Sequence, residues 1–548
     1  MKKPDINKMS LREKAAQTLL VRQSDLLLRA DKAYDELRDP SEAKEILDKN
    51  QFGGIWTHGN GDVNAMSRRY NGYFQFTTDK MVKWIKDNTK DMAIPPICAG
   101  DPSGRSYFSD LSSYTSGIIV GAANSEEYAF ELGRCMASEH KAAGLNWLWA
   151  PVADLNSRFM ACVLRPFSNK QDQLIRLLTA YIKGMQSIGF AATAKHFPGP
   201  DGIDTRDSHI VTTINKLPLE EWKKTQGAVF QATIDAGVYS IMSSARMYPA
   251  MDDSKIDGRY TCAGFSQKML IDSLKGEMGF DGVIITDDVN MGGYTSYYEA
   301  DEIYGRFLEA GNDVLLGVGV DALDRVMNCV ERGIVSEERI TDACRRVLDM
   351  KEKVGLFDDN YTRAYGDVKK ITADTQNICA KIARDGITLL RNKNGLLPMK
   401  KINHVTIYTF THRESIYSSL HVMKEAFEEV GAVVDLRRRP ESFEEIEEAA
   451  KKSDLIIYAG FIGFHAPKGA PSFYEDEFWS LRYAFTAGKE KSIGISLGYP
   501  FIHHYFMDDA DTFVNMYSPH PTVQKAFVAA VYGENEFKGV PPLDMTVE

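Results

Sequence analysis

The sequence contains no C-x-x-C pair, and its seven cysteines (Cys98, Cys135, Cys162, Cys262, Cys329, Cys344, Cys379) are scattered and odd in number. That spacing excludes a paired-cysteine zinc site and speaks against a disulfide framework; reduced thiols in a cytoplasm are the expected setting. No run approaches the roughly 20 apolar residues of a membrane-spanning helix. Charges interrupt the opening stretch "MKKPDINKMSLREKAAQTLLVRQ", so no signal-peptide core is expected. An excess of basic residues is missing too. The formal net charge is -11, which leaves a phosphate backbone little to bind. Neither nucleic acid nor a membrane is an expected partner. Internal repeats with a period of about 20–50 residues and low-complexity tracts are also absent.

What the chain does have is ample apolar material, 44% of its 548 residues, broken into short runs. Through the first two-thirds these runs read as buried strands: "FGGIWTHG", "PPICAGD", "NWLWAPVADLN", "GFAATAKHFPG", "GVYSIMSSARMYP", "GVIITDDVNM" and "GNDVLLGVG". Amphipathic stretches such as "NKQDQLIRLLTAYIKGMQSIG" lie between them, with apolar residues at helical spacing and glycine at the stop. Regular strand-helix alternation predicts parallel strands with helical crossovers. Seven runs and one unseen strand fit a (β/α)8 TIM-like barrel over residues 1–357; an open doubly wound sheet is the rival. The polar stretch 358–375 reads as a connection. A second α/β pattern follows over 376–548, with strands "HVTIYTF", "AVVDLR", "DLIIYAGF", "SIGISLG" and "TFVNMYS", and predicts a smaller, mainly parallel α/β sandwich.

Charge collects where the barrel strands end: Asp101, Asp154, Lys195 with His196, Arg246, and Asp287 with Asp288. Barrel active sites occupy that face. Successive strand residues alternate faces, so only one of Asp287 and Asp288 can enter the barrel mouth. A carboxylate there can attack an anomeric carbon or act as a base, whereas the plain alternative is a helix N-cap.

The stretch "KHFPGPDGIDTRDSH" concentrates two histidines and three aspartates in a loop-forming context. Three readings are open. His196, Asp201, Asp204, Asp207 and His209 are all potential metal ligands, but their spacing matches neither an EF-hand nor an H-x-x-x-H pattern. A solvated loop with aspartate as turn former is the bland reading. In the third, "DSH" sets Asp207 and His209 on one side of an extended tripeptide, so that the carboxylate orients the imidazole for acid/base work.

Together, "KHFPG…DTRDSH" and "GVIITDDVNM" resemble glycoside hydrolase family 3, in its β-N-acetylglucosaminidase branch. "MSLREKAAQTLLVR" is similar to the family's opening helix. "CAGDPSGR" and "APVADLNS…LRPFS" are similar to its rim motifs, and "ARDGITLLRNKNGLLPM" to the start of its C-terminal domain. The resemblance implies a retaining exo-β-glycosidase, with Asp287 as nucleophile and His209 with Asp207 as acid/base dyad. Asp101, Arg105, Arg165, Lys195 and His196 would grip the sugar. No cofactor and no metal are implied. The partner would be a carbohydrate substrate, with inorganic phosphate as an alternative acceptor, and the chain a monomer or homodimer. Three motifs depart from the branch: "DPSGR" is one residue shorter, the loop is one residue longer and lacks the first histidine, and "SSARMYPAMD" carries Arg246 where the branch usually has histidine. Other chemistries stay open, including a β-glucosidase, a Schiff-base lyase using Lys195, and a non-catalytic sugar-binding protein.

Overall fold

Ser10 accepts a hydrogen bond from the Glu13 backbone while Glu13 reaches back to Ser10, a capping box that starts the helix Leu11–Gln17. The computed structural model describes residues 2–29, 36–57, 76–102, 108–155, 157, 159–160, 162–359, 361, 363, 366–463, 471–506 and 509–545. The chain forms two compact units. One comprises Met1–Ser112, Ala129–Leu155 and Leu178–Thr375; the other comprises Ser113–Tyr128, Asn156–Leu177 and Gln376–Glu548.

The first unit is an eight-stranded parallel barrel. Its strands are β1 (Leu19–Arg22), β2 (Gly54–Trp56), β3 (Ile97–Gly100), β4 (Trp147–Leu148), β5 (Thr193–Phe197), β6 (Ser240–Ser243), β7 (Val283–Asp288) and β8 (Val314–Val318). Each pairs in parallel with its neighbours in chain order, and β8 pairs with β1. The ring closes between β4 and β5 through the Trp147–Ala191 bridge, where Leu148 N–H donates to Ala191 C=O at 3.0 Å. Leu20, Trp56, Ile97, Ala99, Trp147, Met242, Val283, Ile285, Val314 and Leu316 fill the interior. It is a packed core with no pore, so chemistry is confined to the strand ends.

β1 is the strand missing from the sequence reading, which ran the opening helix through "TLLVR". The helix stops at Gln17, and Leu19, Leu20 and Val21 are fully buried. Such burial on both faces is what a central parallel strand requires.

In the second unit six strands form one sheet: β9 (Thr388–Asn392), β10 (His404–Phe410), β11 (Val433–Arg438), β12 (Leu455–Gly460), β13 (Ser492–Ser496) and β14 (Thr512–Asn515). Their order is β9-β14-β13-β12-β10-β11, all parallel except the β9–β14 pair. The antiparallel edge strand β9, not among the strands expected from the sequence, directly follows the helix Val368–Gly386. The helix also occupies much of the stretch read as a connection.

Residues 113–128 and 156–177 were expected in the barrel but pack within the second unit. A Cβ on Gly121 would lie 1.7 Å from the Phe167 carbonyl oxygen, so only glycine permits that approach. Ser168 donates to the Pro542 carbonyl at 2.6 Å, and Gln173 to that of Gly121 at 2.9 Å. Among the described residues, no helix is long and apolar enough to cross a membrane.

Candidate active site

The two aspartates that end β7 divide their work as strand alternation demands. Asp287 is 8% exposed, and its Oδ1 accepts the Asp288 N–H at 2.9 Å. Asp288 turns the other way, to Arg22 of β1. It accepts from the guanidinium at 2.6 Å and from the Asn290 backbone at 3.0 Å. Asp288 therefore builds the turn after β7. Tyr294 lies close enough to feel it: burial first, then the negative charge of Asp287, raises its phenol well above the usual value. The Tyr294 hydroxyl donates to the Ser243 carbonyl at 3.1 Å.

Lys195 and His196 lie near the C-terminal end of β5. Lys195 is 2% exposed and its Nζ donates to Asp101 Oδ2, at the end of β3, at 2.9 Å. His196 meets Asp154 twice, through its backbone N–H at 3.0 Å and its Nδ1 at 2.9 Å. Burial alone would push the Asp154 carboxyl up. The charge and hydrogen bonds of His196, with the charge of Arg246, instead hold it at about 2. Asp154 thus stays ionised and fixes the imidazole ring, a role the sequence reading left unassigned.

The long loop after β5 is held by its own carboxylates. Asp201 accepts from the backbones of Ile203, Asp204 and Lys216 at 2.8, 3.0 and 3.1 Å. Asp204 accepts from the Ile214 backbone at 2.9 Å and pairs with Arg206 at 2.6 Å. Burial opposes ionisation of Asp204, but these bonds outweigh it and hold the carboxyl below its usual value. The bonds explain the loop's acidity: two aspartates replace secondary structure as backbone acceptors. At the loop's base, Gly199 has φ +84 and the Trp222 indole donates to the Pro198 carbonyl at 2.7 Å.

The third aspartate serves the histidine. Asp207 Oδ1 receives the His209 backbone N–H at 2.9 Å and its Nδ1 at 2.6 Å. The carboxylate side chain is 3% exposed and the imidazole 47% exposed. A buried carboxylate thus fixes the ring through Nδ1. The loop then lands beside β7, where Gly292 N–H donates to the His209 carbonyl at 3.0 Å. That contact ties the histidine loop to the segment that follows Asp287.

The structure thus gathers Asp101 with Lys195, Asp154 with His196, and Asp207 with His209 on the barrel rim that also carries Asp287. Arg105 lies outside the described residues. Arg165 belongs to the second unit, where its backbone N–H donates to the Cys162 carbonyl at 3.0 Å. Arg22, Tyr294, Gly292 and Gly293 were not among the residues singled out from the sequence, and Asp154 was named there without a role.

Residues 10–350 match the Glycosyl hydrolase family 3 N terminal domain. A beta-N-acetylglucosaminidase/beta-glucosidase of Cellulomonas fimi is 25% identical over 450 residues, 78% of this chain and 79% of that protein. A beta-hexosaminidase of Stenotrophomonas maltophilia is 35% identical over 196 residues; the match spans 36% of this chain and 56% of the relative. Among solved structures, a beta-glucoside phosphorylase superimposes with a TM-score of 0.82 at 22% identity, covering 98% of this chain and 95% of the other. A family 3 beta-N-acetylglucosaminidase from Paenibacillus sp. str. FPU-7 does so with 0.81 at 21% identity, covering 98% and 100%. The chain belongs to glycosyl hydrolase family 3 and is an enzyme of glycosidic bonds.

Proposed function

We propose that the protein is a retaining exo-β-glycosidase that releases terminal N-acetylglucosamine from β-linked glycans or peptidoglycan fragments. The observation that carries this reading is the Asp207–His209 pair on a loop bonded to the segment after Asp287. Asp287 attacks the anomeric carbon while His209 Nε2–H protonates the departing oxygen, leaving a glycosyl ester on Asp287. Neutral His209 then takes a proton from the acceptor, which displaces Asp287 from the same face. Asp101, Lys195 and His196 hold the sugar. The reduced-thiol pattern supports a cytoplasmic site of action.

A second reading is phosphorolysis. The carboxylate of the dyad is buried behind the ring, so the acceptor meets a neutral imidazole rather than an anion. An anionic acceptor such as inorganic phosphate is then not repelled. Turnover of aryl β-N-acetylglucosaminide and aryl β-glucoside, each with and without phosphate, separates the readings. Free N-acetylglucosamine at a phosphate-independent rate is expected. Sugar-1-phosphate would assign phosphorolysis, preference for the glucoside would assign a β-glucosidase, and no turnover of either would leave a sugar-binding protein.

A further inference from the structure

Gly292 and Gly293 stand where the histidine loop lands. A Cβ on Gly292 would lie 2.3 Å from the Ile210 carbonyl oxygen and 3.4 Å from that of His209. On Gly293 it would lie 2.6 Å from the Ser208 carbonyl oxygen and 2.7 Å from the Ala245 Cβ. Carbon makes favourable contacts only near about 3.5–4.0 Å, so a methyl group fits at neither position. The backbones bond directly instead: Gly292 N–H to His209 C=O at 3.0 Å, and the Thr212 hydroxyl to Gly293 C=O at 2.9 Å. Neither glycine is in the left-handed region, so close approach and not conformation is what requires glycine here. Both open the short helix Gly292–Thr295 that follows β7, the strand carrying Asp287.

We propose that Gly292 and Gly293 are positioning residues, a side-chain-free shelf that sets how far the His209 loop descends toward Asp287. The proposal rests on reading Asp287 as nucleophile and His209 as acid/base. A methyl group at Gly292 displaces the Ser208–Ile210 peptides by about an ångström, and proton delivery needs hydrogen-bond reach. Attack by Asp287, carried on the strand, is spared.

The test compares wild type, Gly292→Ala, Gly293→Ala and His209→Ala on aryl β-N-acetylglucosaminides with leaving groups from dinitrophenol to phenol. Hydrogen exchange of residues 205–213 is followed in parallel. The glycine variants are expected to keep dinitrophenyl turnover within about threefold and to lose about 10²-fold on the phenyl substrate, tending toward His209→Ala. Exchange in 207–213 should quicken while β7 stays protected. Equal loss across the series, no loss, or unchanged exchange would overturn the shelf. If wild type and His209→Ala instead share one leaving-group dependence, the reading of His209 falls. Exchange then decides alone whether the glycines hold the loop.

Discussion

The two halves of the proposed site are built by opposite means. Asp287 is a buried carboxylate on β7, flanked by parallel strands on both sides. His209 is a half-exposed imidazole on a loop whose conformation depends on Asp201, Asp204 and Asp207. A nucleophile gains from a position the sheet over-determines. An acid/base group must meet a leaving group and then an acceptor, and a loop lets it reach both. Rigidity therefore comes from backbone pairing in one half and from side-chain carboxylates in the other.

Substitutions can break that contrast, beginning with the strand. If Asp287 is the nucleophile as proposed, Asp287→Ala should lower kcat by about 10⁴-fold or more with every leaving group. Added azide should restore turnover with inversion at the anomeric centre; rescue with retention would count against Asp287. His209→Ala should cost about 10²–10⁴-fold on phenyl substrates and far less on dinitrophenyl ones. Asp204→Ala removes backbone acceptors from the loop without touching β7. A loss of about tenfold, confined to poor leaving groups, is expected from one lost buried bond. A comparable loss on dinitrophenyl substrates would mean that the loop also supports the nucleophile.

Asp154 sharpens the comparison through pH. Its carboxyl sits at about 2 in the fold, against about 3.9 in an unfolded chain. That lowered value stabilises the fold by about 2 kcal/mol above pH 4 and is lost as pH falls from about 4 to 2. Asp154→Asn should therefore lower the urea midpoint near neutrality and converge on wild type near pH 2, while raising KM more than it lowers kcat. A stability gap independent of pH would remove the ion-pair account. Tyr294→Phe should have the smallest effect, under about tenfold in kcat, because its hydroxyl bonds the Ser243 carbonyl rather than the reacting atoms.

How much of this was legible depended on sequence distance. Lys195–His196, Asp207–His209 and Asp287–Asp288 were readable because strand alternation and dyad spacing act over a few residues. The barrel was readable from its recurring strand-helix alternation. β1 was missed because "TLLVR" continues an apolar pattern that helix and buried strand share. β9 was missed for the same reason, after the helix Val368–Gly386. Residues 113–128 and 156–177 were assigned to the barrel because their packing partners, among them Pro542 and the Phe167 backbone, are set by tertiary contact. The shelf glycines were invisible for a related reason: "MGGY" reads as a turn, and only the loop brought in from Ser208–Ile210 shows why no side chain fits.

The most direct measurement is covalent trapping with a fluorinated N-acetylglucosaminyl donor, followed by peptide mapping. The expected result is a single glycosyl label on Asp287, formed at a similar rate in His209→Ala when the leaving group needs no proton. A label on another residue, or borohydride-trapped adduct on Lys195, would contradict the division of the site into strand nucleophile and loop acid/base.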